Sequence, residues 1–154
     1  MNGRLMKMWD EYPEMLRREK MYAKMLEQMP EEDFEGELRK VQDDPIMSQN
    51  AKEDIASRIR QRQLAHFADL ETYRDLLRQY RTELAMFEAA LDTLPAQLRD
   101  VAKELAVGEI SWDAIAEKHY ISRTTLSHYR KQILNIMSEV YDRHDQAEIE
   151  RLLS

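Results

Sequence analysis

Apolar residues recur at helical spacing along most of the chain. In the first stretch, Asn2 to Met29, the face runs through Leu5, Trp9, Tyr12, Leu16, Ala23 and Leu26, with Met8, Met15, Tyr22 and Met29 beside it. That is the wide apolar face of an amphipathic helix. Pro13 disfavours the α conformation at Tyr12, so a break is expected there, with Pro13 opening the main helix. The pattern lapses between Pro30 and Gln49, where Pro30, Gly36 and Pro45 surround the acidic run EEDFEGE. This stretch reads as an acidic linker over 30–49, with room for a short helix from about Phe34 to Val41. The pattern resumes as one long helix from about Asn50 to Thr93, roughly 60 Å in length. Asn50 with Glu53 has the form of a capping box at its start.

The second half of that helix carries a strict stripe: Leu70, Tyr73, Leu77, Tyr80, Leu84, Phe87, Leu91 and Leu94. Intervals alternate between three and four, which is a heptad repeat. In the first half the register falters. The stripe would pass through Gln63 and His66, while Ile55, Leu64 and Phe67 lie to one side. A helix this long cannot cover its own stripe. It is expected to pack on the N-terminal helix, on another subunit, or on both. Leu70, Tyr73, Leu77, Tyr80, Leu84, Phe87 and Leu91 are the expected oligomerisation residues, in a dimer or tetramer. His66 has no neighbour at metal-ligand spacing and reads as a surface or interface histidine.

The last stretch contains three helix starts. Pro95 suits a first helical turn. Leu98, Val101, Ala102, Leu105 and Ala106 follow as an apolar face, and Gly108 is placed to end that helix. Ser111 is an N-cap for a helix from Trp112 to about His119. Ser122 is an N-cap for a helix from Arg123 towards Tyr141.

Composition narrows the class. With 43% apolar and 34% charged residues the chain is ordered, and with 3 Gly and 4 Pro it lacks the turns of a sheet protein. The expected fold class is all-α: an N-terminal helix and a long coiled-coil-like helix, then a C-terminal helix-turn-helix. The absence of Cys excludes a disulfide framework, a thiolate zinc site and a cysteine nucleophile. No apolar run is long enough to span a membrane. The opening MNGRLMKMWDEYP has acidic residues where a signal peptide would be apolar, so a cytoplasmic protein is expected. Four scattered His residues (His66, His119, His128, His144) and no phosphate-loop, nucleophile-elbow or HExxH motif give no catalytic centre and no cofactor site.

The net charge of −7 argues against nucleic acid only when taken over the whole chain. Between Pro95 and Tyr141, six basic residues (Arg99, Lys103, Lys118, Arg123, Arg130, Lys131) balance six acidic ones. Between Ser122 and Ser138 there are three basic residues and one His, and no acid. A helix-turn-helix needs a small residue where its helices cross, and Ala116 is placed there. It needs inward apolar groups, which Ile115, Ile121, Leu126, Tyr129 and Ile133 supply. Its second helix must expose short polar and basic side chains at the N-terminal end. Ser122, Arg123, Thr124, Thr125, Ser127, His128, Arg130 and Lys131 are the expected DNA-binding residues. His119 and Tyr120 fill turn positions where such motifs usually have an aliphatic residue and a glycine. The expected division is therefore a helical oligomerisation region over 1–94, a DNA-binding domain over 95–141 and a C-terminal tail over 142–154.

The run LPAQLRDVAKEL…ISWDAIAEKHYISRTTLSHYRKQIL resembles region four of bacterial sigma factors over about a third of the chain. The full layout has an N-terminal helix with a DEYP turn (Asp10 to Pro13), a divergent linker, a long helix and this terminal module. It is similar to the RinA/ArpU group of phage late-gene transcriptional activators. That resemblance implies a sequence-specific double-stranded DNA binder acting in a bacterial host cell, whose recognition helix maps onto Ser122 to Lys131, with host RNA polymerase a further candidate partner. Two other readings share the composition. A small terminase subunit is also helical and DNA-binding, but normally has its DNA-binding helices first. A coiled-coil or anti-sigma-like adaptor would suit the acidic balance and the heptad stripe.

Overall fold

A computed structural model describes residues 1–154. It has six helices and no strand: α1 (Gly3–Glu27), α2 (Phe34–Gln42), α3 (Gln49–Asp92), α4 (Ala96–Val107), α5 (Trp112–Lys118) and α6 (Arg123–Leu153). No helix is long and apolar enough to cross a membrane.

The chain divides into two units, one formed by Met1–Glu19 with Tyr80–Ser154, the other by Lys20–Gln79. This differs from the expected partition at residues 94 and 141. The residues after Pro95 do not fold as a separate domain, because their core includes both the start of α1 and the end of α3. Leu5, Met8, Trp9, Tyr12 and Met15 of α1 join Leu84, Phe87, Leu91 and Leu94 in one cluster. Val101, Ala102 and Ala106 of α4, Ile115 and Ala116 of α5, and Leu126, Ile133, Met137 and Tyr141 of α6 complete it. Phe87 is fully buried, with its ring 4.6 Å from that of Tyr12 and 6.2 Å from that of Trp9.

Three expectations are corrected here. Helix α1 runs unbroken through Pro13, although proline supplies no N–H to the preceding turn. Trp9, Tyr12 and Met15 flank that position and are all buried in the same core, so tertiary packing holds the helix continuous. Residues 142–154 are not a tail, because α6 continues to Leu153. The heptad residues Leu84, Phe87 and Leu91 are consumed by the chain's own core, and are therefore closed to a second subunit.

The start of the chain is tied to α6 by polar contacts. The Asn2 side chain accepts the Leu5 N–H at 3.0 Å, capping α1, and donates to Asp142 and Asp145. Arg4 pairs with Glu83 and with Asp145, both at 3.1 Å, and its guanidinium lies 5.8 Å from the centre of the Tyr141 ring. Burial pushes the Tyr141 hydroxyl up to about 12. The hydrogen bond from Asn2, and then that from Arg4, hold the Asp145 carboxyl below its ordinary range against the opposing effect of burial.

In the second unit the expected linker contains the short helix that the sequence allowed, α2, and Phe34 docks it. The Asp33 side chain caps α2 by accepting the Gly36 N–H at 2.9 Å. A Cβ at position 36 would displace that carboxylate from its capping position. Phe34 is buried, with its ring 5.7 Å from that of His66 and the Arg62 guanidinium 5.9 Å from its centre. Arg62 also pairs with Glu37. Tyr22 of α1 meets Tyr73 of α3 at 5.9 Å. Of the heptad residues in this unit, Leu77 is buried and Leu70 and Tyr73 are half-buried; Tyr80, in the first unit, is half-buried too. The N-cap of α3 is Ser48, whose hydroxyl accepts the Ala51 N–H at 3.2 Å, rather than the expected Asn50.

The Asp145 contacts have a pH consequence. A carboxylate with a depressed folded-state pKa adds stability above its unfolded pKa and loses it as pH falls through the folded value. Asp145 is therefore expected to stabilise the fold at neutral pH, with the contribution fading below about pH 4. The stability of the wild type should fall more steeply than that of Asp145→Asn as pH drops below about 4. Parallel melting-temperature profiles would contradict this account.

Candidate nucleic-acid interface

The stretch from Pro95 to Tyr141 is shaped first by its helix ends. Arg99 of α4 donates to the carbonyls of Asp92 and Leu94, both at 3.0 Å, satisfying groups left open at the end of α3. Helix α4 ends on Gly108 in the left-handed conformation, φ 70°, with its N–H on the Glu104 carbonyl. The Ser111 hydroxyl caps α5 by accepting the Ala114 N–H at 3.1 Å. The Ser122 hydroxyl caps α6 by accepting the Thr125 N–H at 3.1 Å.

Between α5 and α6 the chain makes a Schellman turn. The N–H of Ile121 reaches the Ala116 carbonyl at 3.0 Å and that of Tyr120 reaches the Glu117 carbonyl at 3.2 Å. The position between them must be left-handed, and Tyr120 takes it with φ 56°. Its side chain is 97% exposed, so no packing offsets the conformational cost. Ile121 turns inward and packs against the core.

The neighbouring His119 joins the turn to α4. Its Nε2 lies 3.0 Å from Oε1 of Glu104, and the Lys118 ammonium lies 3.0 Å from the same oxygen. Burial raises the Glu104 carboxyl, but the hydrogen bonds from Lys118 and His119 outweigh it and hold the group below its ordinary range. As a carboxylate it can only accept, so His119 Nε2 is the donor. The polar residue at this turn position thus has a structural partner.

The expected DNA-binding residues do not all lie on one surface. Thr124, His128 and Lys131 are exposed, and their spacing places them along one face of α6 with the half-buried Ser127. Ser122 and Thr125 are engaged with one another, since the Ser122 hydroxyl also donates to Thr125 Oγ1 at 3.0 Å. Arg130 is half-buried, towards the packed side. Arg123 is exposed but held: its Nε lies 3.3 Å from the Asp113 carboxylate, and its guanidinium 5.9 Å from the centre of the Trp112 ring. The starts of α5 and α6 are therefore adjacent, with Ser111, Trp112, Asp113 and Arg123 lining a shallow open cleft.

Sequence reasoning missed Trp112 and Asp113 as members of this surface, because their contact with Arg123 depends on how α5 meets α6. It also missed Asn135, exposed one turn beyond Lys131 on the same face. No group of three or more His, Cys, Asp or Glu side chains converges to hold a metal. No family model, no curated protein and no solved structure matches the chain.

The strained turn yields a test. Tyr120→Gly should relieve the left-handed conformation and stabilise the protein by about 1 kcal/mol, less what the freer unfolded chain takes back. Urea denaturation measures it. A variant clearly less stable than the wild type would contradict this account of a strained turn.

Proposed function

We propose that this protein is a sequence-specific, double-stranded DNA-binding transcriptional regulator in which α5 and α6 form a helix-turn-helix. In this reading α6 enters the major groove by its N-terminal end. The observation that carries the proposal is the exposed row Thr124, His128 and Lys131, with Arg123 at the head of the same helix beside the start of α5. Arginine can take guanine bidentately, and threonine or serine can reach base edges or phosphates. The sequence resemblance to the RinA/ArpU group extends the proposal to activation of phage late promoters, with host RNA polymerase as partner.

Charge sets the manner of binding. The recognition surface carries few basic groups on a chain of net charge −7, so affinity for random duplex, which is almost wholly electrostatic, is low. Occupancy then depends on two or more copies engaging one site, which raises the effective concentration of the second contact. Asp113 contributes to the same selectivity. It holds Arg123 until a base or phosphate displaces it, and an exposed pair of this kind costs only about 0–1 kcal/mol to break.

Selection of bound duplexes from a random pool, followed by titration of the selected site, tests the proposal. Failure to enrich any sequence would refute it. Arg123→Ala should cost about 1–3 kcal/mol on the selected site and relax preference at one base pair. Lys131→Ala should weaken all sequences alike and lower the salt slope by roughly one. Asp113→Asn should tighten binding to random duplex more than to the selected site, and an equal effect on both would remove Asp113 from the account of specificity. Transcription by host RNA polymerase with and without the protein separates the activator from a packaging subunit, which would leave every transcript unchanged.

A further inference from the structure

Helix α3 presents two apolar side chains that the chain leaves largely uncovered, with the Phe67 ring 6.2 Å from that of His66. Leu64 is 71% exposed and Phe67 is 55% exposed. They lie about a quarter turn round the helix from the face that carries Ile59, Gln63, His66, Leu70 and Tyr73. The inner face turns towards Phe34 and Tyr22, as the His66 and Tyr73 ring contacts show. Leu64 and Phe67 are therefore spare to the packing of their own unit.

The charges around this pair have an order of their own. Along the same stripe lie Glu53 and Arg60 on one side, Glu71 and Arg78 on the other. If the stripe is turned end for end about a point between residues 65 and 66, Leu64 falls on Phe67, Arg60 on Glu71, and Glu53 on Arg78. Leu64 and Phe67 then meet apolar side chains and the Arg60 and Glu71 charges meet their opposites, while Arg74 falls on Ser57 and Arg78 is already paired with Asp75. A parallel alignment would instead set Arg60 on Arg60 and Glu71 on Glu71. Like charges directly opposed are disfavoured, so the sequence of the stripe selects one orientation.

We infer that the Leu64–Phe67 stripe of α3 is the contact surface for a second copy of this chain, docked antiparallel about a two-fold axis between residues 65 and 66. The interface is isologous: the second copy offers the same patch, and every contact occurs twice. Leu64 packs on the second copy's Phe67 at the centre, and the Arg60–Glu71 pairs flank it. Arg60, Leu64, Phe67 and Glu71 are all exposed in the single chain, so docking requires no unfolding of the core. The inference stands apart from DNA binding and would survive the failure of that reading.

The intact protein tests it by sedimentation at about 100 µM, a concentration at which a micromolar dissociation constant populates the dimer. The wild type is expected to sediment as a dimer, and a monomer at that concentration would overturn the inference. Leu64→Glu with Phe67→Glu should return it to monomer with unchanged helix content by circular dichroism, since neither side chain is part of the core. A dimer that survives this double change places the contact elsewhere. Arg60→Glu should weaken the dimer, and adding Glu71→Arg should restore it.

Orientation is read by oxidation, which the absence of native Cys makes clean. Mixing Leu64→Cys with Phe67→Cys should give the mixed cross-linked species in excess of either homodimer. Preferential cross-linking of Leu64→Cys to itself would overturn the antiparallel arrangement.

Discussion

The first unit is organised by the burial of Phe87. A side chain of this size contributes about 3–5 kcal/mol when fully enclosed, a large share of the stability of a small protein. Its enclosure needs the rings of Trp9 and Tyr12, which come from the far end of the sequence. Several features follow from that requirement. Helix α1 must continue through Pro13 to present residues on both sides of it. The N-terminus must be fixed, and Asn2 and Arg4 fix it to Asp142 and Asp145 of α6 and to Glu83 of α3. Because Ile133, Met137 and Tyr141 share the same cluster, the candidate DNA-contacting end of α6 grows out of a helix anchored further along by the core.

What was legible in the sequence was local. Ser111, Ser122 and Gly108 act through hydrogen bonds that span three or four residues, and each sits where its neighbours predicted. The extent of α3 followed from its periodicity. Tyr120 stands where such motifs usually have a glycine, and it takes the left-handed conformation that glycine favours. What was not legible depended on contacts distant in sequence. Pro13 gives a valid local signal for a break, but burial of Trp9, Tyr12 and Met15 outweighs it. Pro30, Gly36 and Pro45 announce a linker, yet Phe34 finds His66 and Arg62 across the chain and Asp33 finds the Gly36 amide. The heptad stripe was expected to pack on the N-terminal helix, on another subunit, or on both, and its spacing alone does not reveal that α1 and the α4–α6 cluster cover Leu84, Phe87 and Leu91.

The same distinction governs the basic residues. Counting them from Pro95 to Tyr141 treats each as available to an anion, but several already have work within the fold. Arg99 closes the end of α3, and Lys118 neutralises a partly buried Glu104. Arg123 rests on Asp113 and Trp112. What remains exposed on the candidate surface is Lys131 with the polar groups of Thr124 and His128, while Arg123 is held by its partner. Availability, rather than charge number, sets the expected weakness of a single copy on random DNA.

This redistribution bears on assembly. Once Leu84, Phe87 and Leu91 are assigned to the interior, the strongest apolar signal of α3 no longer offers an interface. The residues left over are the two that departed from the stripe, Leu64 and Phe67, which the inner face of the same helix does not use. Apolar groups this exposed serve neither the heptad nor the core. The charges beside them match only when the helix meets its own reverse. On the proposed reading, a weakly charged candidate DNA surface gains most from being doubled, and the inferred two-fold contact would do this with a few residues on one helix face.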